Sequence, residues 1–344
     1  MSDYISHEDM MSIPAREVSD SSTLAASPVV SVIVMTYNHE KYIAQAIEGV
    51  ITQQCSFPIE LLLGEDCSTD RTRDICLEYQ RRYPHLIRLI TAETNVGMNK
   101  NYFRLHARAR GRYLAFCEGD DYWCDAYKLE KQVRMLESHH GMNVCFSRTG
   151  NGTGDRGNVI TLWFRNRKAV CYKFEDLISR RVGFNLCTLC IKREALSMIP
   201  KFVEEGAMTD WPLFALALMD GYAGYIPERL GVYRLHPTGA WQSATVEYRY
   251  EGVKAMNRLL RKHLGPRYYR CFDTLLARSY CHCMERSCAE SGRYGFSAVV
   301  STLNRCPVPV WRAGRSLIAF LLHVGFPKVY AGLLATNIFK RGLP

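Results

Sequence analysis

The chain has 344 residues, of which 47% are hydrophobic and 23% charged, and its formal net charge is +10. This composition excludes a disordered protein and leaves room for one large domain with a smaller one. The positive charge belongs to one part of the chain, because residues 244–344 hold 16 Lys and Arg against 5 Asp and Glu. Such asymmetry predicts an anionic partner surface, either a membrane or a nucleic acid.

Residues 1–27 are rich in Ser, Asp, Glu and Met and have no sustained apolar period, so we interpret them as a disordered N-terminal tail. They lack the basic start and apolar core of a secretory signal. We therefore predict a cytoplasmic protein whose 14 cysteines stay reduced. The group Cys281-His282-Cys283 with Cys288 lacks paired C-x₂-C spacing, which favours helix-packed thiols over a metal site.

Strand and helix signals alternate from Pro28 onward. Apolar runs predict strands over 29–35, 59–63, 87–90 and 113–117. The first predicted helix has Asn38 as its N-cap, the second begins at a cap formed by Ser68 or Thr69, and the third covers 99–109. The alternation predicts an α/β fold with a Rossmann-like, doubly wound, mostly parallel sheet.

Three carboxylates follow the last of these strands within four residues: Glu118, Asp120 and Asp121. Like charges this close repel one another unless a cation or water screens them. Carboxylate oxygens suit Mg²⁺ or Mn²⁺, so the cluster predicts a metal site where the strand ends. A solvated turn is the simpler alternative.

One short motif is misleading. Residues 152–157 match the dinucleotide fingerprint G-x-G-x-x-G, which needs a strand before it and a helix after it. The segment that follows, 158–164, alternates like a strand. We therefore reject a dehydrogenase.

The C-terminal part looks helical after Glu247. Its most apolar segment, 316–339, is interrupted by His323, Pro327 and Lys328, so it is too broken to span a bilayer. Basic residues flank it, as expected of an interfacial hairpin on an anionic membrane, although a pair of core helices fits the pattern equally well.

Four segments resemble, in the same order, motifs of family 2 glycosyltransferases of the GT-A fold. They are Thr36-Tyr37-Asn38, the acidic loop 65–70, Asn95-Val96-Gly97 and the loop 118–121, and the resemblance covers residues 29–241. It implies a GT-A catalytic domain over 28–243, followed by a basic α-helical region over 244–344. It also implies transfer of a sugar from a nucleotide diphosphate sugar, most simply a UDP-sugar, with Mg²⁺ or Mn²⁺ as cofactor.

The resemblance assigns roles on the donor side. Thr36, Tyr37 and Asn38 would line the uridine pocket together with Asn95, and Asp66 would accept a hydrogen bond from the uracil imide. Helix capping is the alternative for Asp66, but Asp70 is the better cap. Asp120 would bind the metal, with Asp121 and Glu118 nearby. Glu118 departs from the family, which usually has Asp at this position.

The second half of the chain supplies the acceptor side. The segment 208–212 resembles the family's [ED]-D-W motif, so Asp210 would be the general base of an inverting transfer. Residues 233–236 resemble its Y-R-x-H motif, so His236 would approach the metal and the diphosphate. The simpler alternatives are a helix cap for Asp210 and an ordinary loop histidine at 236.

The resemblance implies a glycan or lipid-linked acceptor and a role in surface glycan synthesis. The basic C-terminal region predicts a peripheral position on the inner face of the cell membrane. A nucleic-acid partner would explain this basic region but not the acidic strand ends, so we predict none. A nucleotidyltransferase is the alternative enzyme, although the basic phosphate loop it would need is absent after the first strand. A catalytically silent nucleotide- or glycan-binding relative is the other alternative. The carboxylates Asp66, Asp120 and Asp210 argue against it.

Overall fold

A computed structural model describes residues 4–152, 171–178, 184–197, 199, 210–239, 261–262 and 266–269. The chain divides into two compact units. One combines Met1–Phe174 with Gly183–Gly239, and the other combines Glu175–Val182 with Ala240–Pro344.

Nearly all described elements belong to the first unit. The strands are β1 (Arg16–Val18), β2 (Val30–Thr36), β3 (Ile59–Glu65), β4 (Ile87–Thr91), β5 (Tyr113–Glu118), β6 (Tyr122–Trp123), β7 (Met142–Gly152), β8 (Cys171–Tyr172), β9 (Cys190–Lys192) and β10 (Tyr222–Arg234). The helices are α1 (His7–Ser12), α2 (Ile43–Ile51), α3 (Thr72–Arg82), α4 (Met98–Arg108), α5 (Lys128–Ser138), α6 (Phe174–Ile178) and α7 (Asp210–Met219). Short 3₁₀ turns cover Leu186–Thr188, Arg193–Leu196 and Pro266–Tyr268.

The centre of the sheet is parallel. Strands β4, β3, β2 and β5 lie side by side in that order, and every residue of β2 is buried. Burial on both faces explains the continuous apolar runs, because helices cover both sides of such a sheet. The four strands predicted from the sequence are confirmed, each within two residues of its expected bounds.

The flanks of the sheet contain antiparallel pairs, so the whole sheet is mixed. Strand β9 runs antiparallel to both β5 and β7, while β10 is parallel to β7 and antiparallel to β6. The prediction of a mostly parallel sheet is confirmed for the central strands and for the long β7–β10 pair. The antiparallel pairs involve strands of two or three residues, namely β1, β6, β8 and β9, which are too short to show a period in the sequence.

Helix α2 covers the sheet with the face that the sequence predicted. Ile43, Ile47 and Val50 are fully buried in one hydrophobic cluster with the central strands. Its predicted N-cap is wrong, because the helix begins at Ile43 rather than directly after Asn38. Asn38 has a positive φ of 56° and takes part in loop contacts instead.

The structure also corrects the prediction of a disordered tail over residues 1–27. Helix α1 begins at a capping box formed by Ser6 and Asp9, and β1 extends the sheet by pairing antiparallel with β4. The composition of these residues predicted disorder because few of them are apolar. They are ordered by partners elsewhere in the chain, through strand pairing with β4 and ion pairs.

A buried ion-pair network holds β1 against the sheet. Arg88 on β4 donates to Glu17 of β1 at 2.7 Å and contacts Glu60 of β3 at 3.0 Å. Glu60 also accepts hydrogen bonds from Ser31 and Arg110. Burial alone would raise the pKa of Glu60, but these donors together lower it.

Several predictions lie outside the described residues. They include the strand over 158–164, the cysteine group near 281 and the apolar segment 316–339. No helix in the part of the chain that the structure describes is long and apolar enough to cross a membrane. The nine cysteines within the described residues are all free thiols.

The network predicts that Arg88→Ala destabilises the fold by about 3 kcal/mol, because it leaves the buried Glu60 carboxylate without one of its cations. Urea denaturation at pH 7 measures this. Since the folded pKa of Glu60 is lowered, its contribution is present above its unfolded pKa and is lost as the pH falls through the folded value. The difference in unfolding free energy between wild type and Arg88→Ala should therefore become smaller at acidic pH.

Arg82→Ala is the matched control, because Arg82 makes an exposed i,i+4 pair with Glu78 at 3.7 Å. Exposed pairs of this kind contribute about 0.5 kcal/mol or less. Equal losses in the two variants would contradict the assignment of stability to the buried network.

Candidate active site

The carboxyl ends of three parallel strands meet at one edge of the sheet. Thr36 at the end of β2 is in register with Glu65 of β3, and Met35 is in register with Glu118 of β5. The three predicted loops are therefore neighbours, as expected for ligand-binding loops of an open α/β sheet.

The first loop is tied to the second by Asn38. Its Oδ1 accepts the N–H of Thr69 at 2.9 Å, and its own N–H donates to Ser68 Oγ at 3.0 Å. Tyr37 beside it is 44% exposed, whereas Thr36 is buried. The aromatic ring is thus available to a ligand, and Asn38 fixes the loop that presents it.

Asp70 is the residue that orders the start of α3. Its carboxylate accepts the N–H of Thr72 at 2.9 Å and the N–H of Glu40 at 3.1 Å. The expected capping by Ser68 or Thr69 is wrong, since these residues pair with Asn38. The sequence favours Asp70 over Asp66 as the residue that caps this helix, and the Thr72 contact agrees with that preference.

Asp66 holds the Asn95-Val96-Gly97 segment in place. Its two carboxylate oxygens accept the N–H groups of Val96 and Gly97, both at 2.9 Å, and its backbone carbonyl accepts from Asn95 Nδ2 at 2.9 Å. Gly97 adopts a φ of +86° at the start of α4, a conformation that favours glycine. The acidic loop and the Asn-x-Gly segment therefore form one unit, with Asp66 only 2% exposed.

Arg104, which was not predicted as a site residue, holds the acidic loop and the Asn95-Val96-Gly97 segment from the interior of the protein. Its guanidinium is fully buried and donates to the carbonyls of Pro14 at 3.0 Å and Glu65 at 2.9 Å. It also lies 3.5 Å from the Asp66 carboxylate. A charged residue on the buried face of α4, beside Asn101 and Leu105, is the signal that could have identified it.

The third loop brings Asp120 against two histidines. Its Oδ2 lies 3.0 Å from His236 Nε2 and 3.8 Å from His39 Nε2. Burial lowers the pKa of His39, and His236 lowers it further against the opposing effect of Asp120. His39 was not predicted as a site residue, although it directly follows Asn38.

Gly119 makes the close approach of this loop possible. A Cβ atom added there would lie 2.6 Å from Thr36 Oγ1 and 2.7 Å from His39 Nδ1. Neither of these two buried atoms has a hydrogen-bond partner among the described residues. The loop thus packs glycine against polar atoms at the sheet edge.

Asp121 is the fully buried acid of this loop. Its Oδ1 accepts the N–H of Arg234 at 2.9 Å. Burial, followed by the nearby charge of Asp120, raises the pKa of Asp121 well above its usual range. This contact gives Asp121 a supporting role through Oδ1, whereas Oδ2 has no hydrogen-bond partner among the described residues, and its predicted place beside the metal stays a prediction.

Arg234 joins the end of β10 to the same loop. It donates to the backbone carbonyl of Asp120 at 2.9 Å, and its guanidinium lies over the rings of Tyr42 and Tyr122 at 5.0 and 4.6 Å. The Tyr42 ring also contacts His236, with 4.7 Å between centroids. These contacts position His236 beside Asp120, and its approach to a metal and a diphosphate stays a prediction.

The other predicted site residues are placed only in part. Glu118 is the last residue of β5 and half-buried, and Asn95 is exposed. Asp210 begins α7, but its side chain lies outside the described residues. Its relation to Asp120 therefore stays a prediction.

The donor set of Asp120 and His236 is compatible with a divalent cation. One carboxylate and one imidazole leave coordination positions for phosphate oxygens, which is how Mg²⁺ and Mn²⁺ are commonly held. No group of three or more His, Cys, Asp or Glu side chains arranged for a metal occurs in the described ranges. A metal ion bound to Asp120 and His236 would take its further ligands from the bound substrate.

Comparison with solved structures defines the fold class. The chain superimposes on Staphylococcus aureus TarS 1–349 in complex with UDP-GlcNAc with a TM-score of 0.56, 22% identity, and 86% and 81% of the two chains covered. The mannosyltransferase PcManGT from Pyrobaculum calidifontis, in complex with GDP-Man and Mn²⁺, superimposes with a TM-score of 0.51 and 16% identity. The superposition covers 92% of this chain and 91% of PcManGT. The fold is that of GT-A glycosyltransferases.

Sequence comparison identifies the family. The model "Glycosyl transferase family 2" matches residues 31–197. The putative teichuronic acid biosynthesis glycosyltransferase TuaG of Bacillus subtilis is 30% identical over 60% of this chain and 79% of its own length. The uncharacterized protein Rv1520 of Mycobacterium tuberculosis is 35% identical over 64% of this chain, which spans 62% of that relative's length. The chain belongs to glycosyl transferase family 2.

The buried position of Asp121 predicts that Asp121→Asn does not destabilise the protein at neutral pH. The amide oxygen can still accept the Arg234 N–H, while the cost of burying a charge disappears. A raised folded pKa means that wild-type stability falls as the pH rises above the unfolded value, so the advantage of the variant should grow with pH.

Thermal unfolding in EDTA between pH 5 and pH 8 measures this, with the exposed Asp74→Asn as control. A variant that is less stable than wild type at pH 8 would contradict the interpretation.

Proposed function

We propose that the protein transfers a sugar from a nucleotide diphosphate sugar, with a UDP-sugar as donor, to a hydroxyl of a glycan or lipid-linked acceptor. The observation that carries the proposal is the Asp120 carboxylate, held against His236 at the edge where three parallel strands end. Membership of glycosyl transferase family 2 and the GT-A fold support the same reaction class. The name of TuaG supports a role in surface glycan synthesis.

The donor nucleotide would lie across the first two loops. The exposed Tyr37 ring offers a stacking surface for the base. Each oxygen of Asp66 accepts one backbone N–H, which leaves a second lone pair for the uracil imide. Asn95 is exposed on the segment that Asp66 holds, so it is positioned to complete the nucleotide pocket.

The diphosphate would lie beside Asp120 and His236, which would hold Mg²⁺ or Mn²⁺. A bound divalent ion offsets the charge that builds on a departing nucleoside diphosphate. Arg234 fixes the backbone of Asp120, and the Tyr42 ring fixes His236, so the chain holds both side chains before the substrate arrives.

Asp210 would be the general base that removes the proton of the acceptor hydroxyl. That hydroxyl attacks the anomeric carbon from the face opposite the leaving diphosphate, so a single displacement inverts the centre without an enzyme nucleophile. Asp210 is the first residue of α7 and is followed by Trp211, as in the family's [ED]-D-W motif. The basic region 244–344 would hold the enzyme on the inner face of an anionic membrane.

Asp120→Ala is expected to abolish metal-dependent release of UDP from UDP-sugars and to leave the fold intact. The reason is the loss of the carboxylate that faces the diphosphate. A donor panel is assayed with Mn²⁺, with Mg²⁺ and with EDTA, and the exposed Asp74→Ala serves as the control. Wild-type activity in excess EDTA would remove the metal from the proposal, and release of pyrophosphate instead of UDP would indicate a nucleotidyltransferase.

Asp210→Asn is expected to lower kcat by roughly 10²–10⁴-fold, the usual contribution of a general base. UDP affinity should stay near wild type, because the donor contacts other residues. Steady-state kinetics together with UDP calorimetry separates the two effects. Loss of UDP affinity would make Asp210 a donor-site residue, and full activity would place the base elsewhere, with Glu204 and Glu205 the nearest acids in the sequence.

A further inference from the structure

The first unit contains a pocket far from the sheet edge that carries Asp120. Its volume is about 550 Å³, and its walls come from α1, α4, the start of β5 and the segment that follows β9. Tyr113 at the amino end of β5 lines it, whereas Glu118 at the carboxyl end belongs to the donor side. At a rise of about 3.3 Å per residue, the two sites are roughly 16 Å apart along that strand.

The polar part of the pocket is basic. Arg112, Lys192 and Arg193 line it together with His7 and His106, and Glu194 is the one acid among the described lining residues. Arg112 pairs with Glu137 at 3.1 Å. Lys192 and Arg193 have no carboxylate within ion-pair distance in the ranges that the structure describes, although Arg193 donates to the Ala109 carbonyl at 3.1 Å. The pocket therefore holds uncompensated positive charge.

His106 adds a neutral donor to these cations. Burial, reinforced by the charges of Arg193 and His7, lowers the pKa of His106 to about 4. Its Nδ1 lies 3.1 Å from the hydroxyl of Tyr102, which is buried and has no other hydrogen-bond partner among the described residues. Donation by the Tyr102 hydroxyl to Nδ1 places the proton of the neutral imidazole on Nε2, and we assign this tautomer to His106.

The apolar part of the pocket consists of Ile5, Met10 and Tyr113, all of which are buried. A pocket with one apolar wall and several cationic donors fits an anion that carries an organic group. A phosphate monoester has three acceptor oxygens and a charge between −1.5 and −2, so it matches two unpaired cations better than a single carboxylate does.

We propose that this pocket binds a phosphate group, presented by a soluble phosphate ester or by a phospholipid headgroup. Lys192 and Arg193 supply the charge, His106 supplies a directed N–H, and the wall of Ile5 and Met10 accepts the organic part. The site is separate from the donor site, so its ligand would anchor or regulate the enzyme rather than react.

The test uses Lys192→Glu, because the structure gives the Lys192 side chain no contact that the fold needs. Inorganic phosphate is titrated by calorimetry into the full-length protein, and Lys192→Gln is measured as a milder variant. Arg134→Glu on α5 makes the same charge change at an exposed position outside the pocket. Asp120→Ala separates this binding from phosphate bound at the donor site.

Lys192→Glu should weaken phosphate binding by about tenfold or more, the factor that corresponds to one lost charge–charge contact of about 1.4 kcal/mol. Arg134→Glu and Asp120→Ala should keep wild-type affinity, and UDP release should be unchanged in Lys192→Glu. Equal phosphate affinity in Lys192→Glu and Arg134→Glu would overturn the proposal, as would failure of the wild-type protein to bind.

Vesicle sedimentation then distinguishes the two sources of phosphate, with phosphatidylcholine vesicles prepared with and without phosphatidic acid. A lower bound fraction for Lys192→Glu than for Arg134→Glu, seen only with phosphatidic acid, supports a lipid headgroup. Equal bound fractions, combined with the loss of inorganic phosphate binding, support a soluble phosphate ester.

Discussion

The repulsion among carboxylates at one edge of the sheet is the constraint around which this site is built. Each buried acid there has its own compensation: Glu65 pairs with Arg73 at 2.6 Å, and Asp66 accepts two backbone N–H groups beside Arg104. Asp120 differs, because its ion-pair neighbours among the described residues are two imidazoles rather than Arg or Lys. Its negative charge is thus left for a ligand to neutralise.

The site also depends on joining two halves of the chain. The donor loops come from the first 121 residues, whereas Arg234 ends β10 and His236 follows two residues later. Strand β10 lies between β7 and β6 in the sheet. Arg234 binds both the carbonyl of Asp120 and the carboxylate of Asp121, through its guanidinium and its N–H respectively. Precise placement of the acidic loop is therefore achieved only when the second half has folded.

Periodicity was sufficient to predict the central strands, because apolar runs such as β2 are buried on both faces. Spacing was sufficient to bring Asp66 and Asp120 to one edge, since parallel strands end together. The order of residues 4–27 could not be predicted in the same way, because Glu17 is held by Arg88, a partner 71 positions away. Arg104 differs, because its position on the buried face of α4 could have been found from the sequence, whereas its carbonyl partners could not.

The pairing of β1 with β4 has a consequence for the order of folding. Arg16 lies opposite Thr91, so β1 has to wait until β4 has been synthesised before its backbone can pair. Contacts between residues so distant in sequence are slow to form, because a long loop has to close first. The N-terminal strand is therefore expected to join the sheet late, and Pro14, whose carbonyl binds Arg104, joins with it.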